Sequence, residues 1–479
     1  MLTMACAFAE PDSELQPVQT AQSPVAPETK LSVINNLEPI KGSDRILILA
    51  PHPDDEAVGC AGIIQEAVAA GADMHVLCLT NGDNNEFAFI VYEKRIPFLP
   101  GSLVHLGEVR RSESIKAMKM LGLEEYNLIY LGYPDFGTFQ IFKDFWKSDK
   151  PYRSLLTRAT SVPYKQDPSF ASPYTGESIL RDLKSTLLRY RPNKIFVSHP
   201  LDLNHDHESA YLFLQIALAD VADELPQPKV YSYLIHWRAW PLPRHYHPDL
   251  PLLAPQEFQS LRSEIRWLKY KLPVKYLENK HQAVLAYKSE TESSAFYLLS
   301  FCRKNELFSF YPDIVLDILP KPAPEKPVSW KDRIAAFFGL SGNLPEAVFE
   351  AHAETPTMTH PVIYASEGNS LLIRIYKRKD AGRTLKAVLY LFGYSHKTPF
   401  ALMPKIFMIT KHTRFKMLDG PRRISGQGVT LEMRPTELVI KIPFALLGNP
   451  DFILASVRGN AGISFVDTLS FRKISIRRK

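Results

Sequence analysis

Two short segments of this chain hold the residues best suited to chemistry. Ala50-Pro51-His52-Pro53-Asp54-Asp55-Glu56 packs one imidazole and three carboxylates together. His199-Pro200-Leu201-Asp202-Leu203-Asn204-His205-Asp206-His207 adds three imidazoles and two carboxylates. A catalytic zinc takes about three nitrogen or oxygen ligands and keeps one position for water. From a turn, His52 and Asp55 can both reach inward and leave Asp54 beside that water. Each motif alone also reads as a polar loop whose carboxylates cap the next helix. Two such clusters, each following a strand, point instead to a metal-dependent hydrolase.

The elements that must position these motifs alternate between strand and helix. Residues 45–50 form the continuous apolar run of a buried parallel strand. Residues 57–70 carry helical spacing and end at Gly71, a C-cap. The same reading gives strands at 74–79, 127–131, 194–198 and 229–235, and helices at 108–121, 178–190 and 209–219. This order predicts an α/β fold with a doubly wound, mostly parallel sheet and a site at the C-terminal strand ends. The segments 86–105 and 138–174 are aromatic-rich and aperiodic, as walls over a site would be. The span 256–308 reads as helical.

Beyond this, Leu319-Pro-Lys-Pro-Ala-Pro-Glu-Lys-Pro327 is a stiff linker with four prolines. Period-two strands follow at 370–376, 386–391, 406–410, 429–433, 437–442 and 453–457, the pattern of an all-β sandwich. The expected domains are a leader remnant and tether at 1–30, a hydrolase at 31–318, a linker at 319–344 and a β-sandwich at 345–479. Every ligand candidate lies before the linker, so the hydrolase segment is expected to turn over small substrates by itself.

Composition limits the partners. A net charge of +6 without a basic, aromatic-interleaved stripe argues against nucleic acid, and the basic runs 377–379 and 477–479 decorate strands or a tail. Four scattered cysteines form no C-x-x-C pair. Met1 to Ala9 is apolar and ends in the small-x-small pattern of a signal-peptidase site. The Pro-, Ser- and Gln-rich stretch 10–30 reads as a disordered tether, so export is expected, with the true start lying upstream. No apolar run reaches the roughly 20 residues of a membrane span.

Pro-His-Pro-Asp-Asp-Glu followed by Asp-x-Asn-x-Asp-His resembles the LmbE/PIG-L superfamily of zinc-dependent N-deacetylases, over about 44–310. The resemblance implies one zinc per chain held by His52, Asp55 and His207, with Asp54 as general base. It implies an N-acetylglucosamine-type sugar or glycan as substrate, hydrolysed to acetate and a free amine. Arg110-Arg-Ser-Glu113 at a helix start, Leu131-Gly-Tyr-Pro-Asp135, Tyr233-Leu-Ile-His236 and Ala286-Tyr-Lys-Ser289 also match. They offer Arg110, Asp135 and His236 for the sugar, although Arg110 and Asp135 read equally as ion-paired structural residues. Relatives carry His-Pro-Asp-His in the second motif, whereas Asn204 and His205 occupy its first two positions here. Asn204 can donate to an oxyanion but cannot shuttle a proton, which leaves His205, His199 or His236 for that step.

The stretch Glu437 to Pro450, then Asp467-Thr-Leu-Ser-Phe471, is similar to sandwich modules of the DOMON and family-nine carbohydrate-binding type. The leading expectation is an exported deacetylase of a cell-surface or secreted glycan. A carbohydrate-binding protein with a decayed hydrolase domain, and a deacylase of a small cytoplasmic glycoside, are the competing readings.

Overall fold

The structure is a computed structural model that describes residues 34–84, 100–147, 149–256, 258, 265–318, 362–376, 386–411, 413–434, 436–461, 464–468 and 471–478. The leader, the tether, the proline linker and most of the expected wall at 86–105 lie outside the described residues.

The first half is an eight-stranded sheet flanked by helices. Its strands are β1 (Asn35–Asn36), β2 (Arg45–Ala50), β3 (Asp73–Thr80), β4 (Leu128–Tyr133), β5 (Lys194–Ser198), β6 (Lys229–Tyr233), β7 (Arg266–Lys271) and β8 (Asn305–Phe310). They run in the order β1-β7-β8-β6-β5-β2-β3-β4. From β6 to β4 every pairing is parallel, while β8 is antiparallel to both β6 and β7. The helices are α1 (Asp55–Ala70), α2 (Pro100–Met120), α3 (Thr138–Asp144), α4 (Gly176–Tyr190), α5 (His205–Asp220), α6 (Val274–Leu285) and α7 (Lys288–Leu298).

The parallel strands are buried nearly end to end, which is why they read as unbroken apolar runs. Both motifs fall where such a strand gives way to a helix: β2 to α1, and β5 to α5. The order β5-β2-β3 places those two strand ends side by side. That is the switch point of a doubly wound sheet, where ligands bind.

Two expectations change. The span expected to be helical through 308 contains β7 and β8. These form an antiparallel extension whose pairing partners lie far away in sequence, at β6 and β1. Arg110, expected at a helix start, lies in the middle of α2.

The second half is a sandwich. One sheet has the order β10 (Ile363–Ser366), β11 (Ser370–Tyr376), β17 (Glu437–Pro443), β16 (Thr430–Met433). The other runs β15 (Arg422–Arg423), β14 (Arg414–Asp419), β13 (Lys405–Lys411), β12 (Lys386–Tyr394), β18 (Phe452–Ala461), β20 (Arg472–Arg478), β9 (Ile314–Ile318), with β19 (Ser464–Thr468) pairing with β18. Alternating burial along β11 and β17 places Leu371, Ile373, Leu438 and Ile440 in the inter-sheet core.

The two halves do not meet at the expected boundary. β9, assigned by sequence to the hydrolase segment, pairs in parallel with β20 inside the sandwich. One apolar cluster also runs through both halves, joining Phe142, Trp146 and Phe213 to Phe392, Phe400 and Phe471. Phe142 meets Phe392 and Phe400 with ring centroids 5.2 and 5.5 Å apart.

Candidate metal centre

The turn into α1 is built around Asp54. Its backbone sits at φ +133°, a conformation that favours glycine and costs a non-glycine residue free energy. Asp54 N–H donates to Glu56 Oε2 at 3.0 Å. Glu56 Oε1 in turn accepts from Ser114 Oγ and Tyr287 Oη, both at 2.6 Å. His52 N–H donates to Asp55 Oδ2 at 2.9 Å. The turn is therefore fastened from behind, and the Ala286-Tyr-Lys-Ser289 match supplies part of the fastening.

His52, Asp55 and His207 converge as expected. Asp55 Oδ2 lies 3.3 Å from His52 Nδ1 and 3.2 Å from His207 Nε2. One donor atom from each of the three residues lies within 4.8 Å of the others. His207 is fully buried, yet neither of its ring nitrogens makes a well-directed hydrogen bond. Two imidazole nitrogens and one carboxylate oxygen, with a buried donor left unmatched, fit a divalent metal such as zinc.

Carboxylates that the motif reading left without a role orient these ligands. Asp202 Oδ2 lies 3.1 Å from His207 Nδ1 and accepts the backbone N–H groups of Ile235 and His236. Asp206 Oδ2 lies 3.3 Å from His52 Nε2. The Asp206 carboxylate also accepts Phe136 N–H at 2.5 Å, Thr138 N–H at 3.1 Å and the Thr138 hydroxyl. A carboxylate behind a ligand histidine fixes its ring and tautomer. The one available sign was their place in the same dense motif.

Electrostatics divide the groups. Burial raises Asp54 well above the usual carboxylate range, aided by Asp55 and Glu290 and opposed by Arg110. Burial would raise Asp55 as well, but His207 and His52 hold it well below that range. Burial would lower His207, yet Asp202 and Asp55 carry it up to about 10.

The remaining expected residues are placed differently. Arg110 is no free sugar clamp: it is buried, 2.9 Å from Glu290 and 3.6 Å from Asp54, and donates to Gly82 O and Pro53 O. Asp135 lies 3.1 Å from His52 Nε2, and despite burial that partner holds its pKa at about 2. It belongs to the histidine's surroundings.

Asn204 caps α5, its side-chain oxygen accepting Asp206 N–H at 2.8 Å. His205 is exposed, stacks on Phe139 with centroids 5.2 Å apart and pairs with Glu208 at 2.7 Å. His199 is fully buried beside Trp267, and burial lowers it to about 3. His236 is the histidine that stays with the metal group. Its ring lies 4.6 Å from that of His207, partly exposed, and burial with the neighbouring imidazoles lowers it to about 4, a neutral donor near pH 7.

The profile of the PIG-L family, GlcNAc-PI de-N-acetylase, matches residues 47–218. The 1D-myo-inositol 2-acetamido-2-deoxy-alpha-D-glucopyranoside deacetylase of Rhodococcus opacus (strain B4) is 35% identical over 78 residues, 16% of this chain and 26% of that protein. The chain thus spans about a quarter of the length of the curated relatives it matches. Among solved structures, the N,N'-diacetylchitobiose deacetylase from Pyrococcus horikoshii aligns with a TM-score of 0.33 and 17% identity, over 57% of this chain and 86% of that one. A conserved protein from Thermus thermophilus aligns with a TM-score of 0.31 and 22% identity, over 52% and 81%. Residues 47–218, which hold His52, Asp54, Asp55, Asp206 and His207, are a domain of the PIG-L family.

Proposed function

We propose that this chain is a zinc-dependent N-deacetylase acting on an N-acetylglucosamine-type sugar. The observation that carries the reading is the His52–Asp55–His207 donor group with Asp54 as the next carboxylate, inside a PIG-L-family domain. The acetamido sugar in the names of the curated relatives supports the substrate class. A bound zinc would be held by His52, Asp55 and His207, lowering the pKa of water toward about 7 and polarising an acyl oxygen.

The chain's own groups do the rest. Asp54, whose pKa is raised by burial, takes the proton of the attacking water and returns it to the departing amine. Arg110 holds Asp54 from behind, and Asp202 and Asp206 fix the two imidazoles. His236, neutral and partly exposed, donates in this reading to the oxygen that becomes negative in the tetrahedral intermediate. The composition of residues 1–30 supports an exported enzyme and so a cell-surface or secreted glycan as the polymeric form of this substrate.

Acetate release across N-acetylated monosaccharides, glycosides of inositol and polymeric glycans tests the reading. Turnover lost on chelation and restored by zinc is expected. A zinc-loaded chain that releases no acetate from any of them rejects it.

A further inference from the structure

The first turn of α5 carries His205, Asp206, His207 and Glu208 and is held from two directions. On one side, the start of α3 grips Asp206. On the other, the hold comes from the sandwich. Arg458, on β18, places Nη2 2.8 Å from Glu208 Oε1 and 2.9 Å from Oε2. Glu208 is buried, 1% exposed. Its Oε2 also lies 2.7 Å from His205 Nδ1. The Arg458 guanidinium itself lies 4.9 Å from the Tyr390 ring and 5.9 Å from Phe139, on which His205 stacks. A buried carboxylate deprived of its cation is costly, and an outward shift of the turn bearing it would relieve the charge. A backbone shift that carries Glu208 outward would carry His207, its neighbour in the same turn, with it.

We infer that Arg458 is a positioning residue for the metal site: the sandwich sets the place of His207 through the Arg458–Glu208 pair. This rests on the donor group proposed above, but it concerns metal binding and not the substrate. The sandwich is then a part of the centre's support, whatever else it binds.

A control lies in the same interface. Tyr394, on β12, donates through Oη to Asp220 Oδ1 at 3.0 Å, at the last residue of α5. Glu208 and Asp220 are twelve residues apart, about 18 Å along a helix. Tyr394→Phe therefore removes a bond between the halves without touching the ligand turn.

The test is zinc affinity of the full chain by chelator competition, read beside Tm. Arg458→Ala should weaken zinc binding by up to about 10–100-fold, the cost of losing a direct partner of a metal ligand. Arg458→Lys should give a partial loss, and it keeps the test open if the alanine variant fails to fold. Glu208→Gln and Arg458→Ala together should lose less than the sum of the two. Tyr394→Phe should lower Tm and leave zinc affinity unchanged. Wild-type affinity in folded Arg458→Ala or Arg458→Lys overturns the inference, as does an equal loss in Tyr394→Phe. If no substrate releases acetate but the affinity pattern holds, the proposed reaction falls and this inference stands. If acetate release and zinc affinity both survive Arg458→Ala, the inference falls and the reaction stands.

Discussion

Asp54 and Asp55 are chain neighbours that the fold drives in opposite directions. Asp55 faces two imidazoles and stays ionised, as a ligand must. Asp54 faces buried Arg110 and Glu290, and burial raises its pKa. Pairs of groups whose surroundings separate their protonation are how a site assigns base and ligand. The expected outcome for Asp54→Asn follows. The substitution is nearly isosteric, so zinc content by elemental analysis stays at wild type. Turnover falls by about 10²–10⁴, the usual contribution of a general base. Wild-type turnover in a folded, zinc-loaded Asp54→Asn would assign water activation to another group.

At the scale of elements, both motifs work because a parallel strand ends and a helix begins. The first helix starts without a side-chain cap, since Asp54 is turned into φ +133°. The second starts on Asn204, which commits its oxygen to Asp206 N–H. That cap, rather than an oxyanion contact, is the role its geometry supports. Asn204→Ser keeps a good N-cap and should keep turnover within about threefold. Asn204→Ala should instead lower stability by about 0.5–2 kcal/mol in denaturant unfolding. If Asn204→Ser loses about 10²–10³ in kcat, the cost of an oxyanion donor, the catalytic assignment returns.

At the scale of the molecule, the sequence suggests a hydrolase that can be cut free near Pro320, and the packing argues otherwise. Removing residues after 318 would strip Phe392, Phe400 and Phe471 from Phe142, Trp146 and Phe213. It would also leave β9 without β20 and Glu208 without Arg458. Burial of each large apolar side chain is worth roughly 1.5–3 kcal/mol, so losing cover from several rivals the whole stability of a domain, about 5–15 kcal/mol. A chain ending at Ile318 should be aggregated or molten by size-exclusion chromatography and near-ultraviolet circular dichroism. It should also lose turnover on small and polymeric substrates alike. A monomeric, active fragment would show that the α/β half stands alone.

What the sequence determined by itself is local. His52 and Asp55 were legible at a turn with an apolar run before it and helical spacing after it, whereas His207, in the first turn of α5, was singled out by the resemblance of its motif to the LmbE/PIG-L superfamily. Strands β2 to β6 and six of the twelve described sandwich strands were legible from their apolar pattern, since burial on both faces or one imposes its period on neighbouring residues. Only the tertiary structure decided the rest. Asp202 and Asp206 became orienting groups because the segment after β6 and the start of α3 arrive beside them. Arg110 became a buried ion-pair partner because α7 brings Glu290 to it. β7 and β9 were hidden because their pairing partners lie elsewhere in the chain, at β8 and β20. The Arg458–Glu208 pair spans 250 residues of sequence. Contacts of that kind leave no period in the chain, because each is chosen by the partner that folding brings to it.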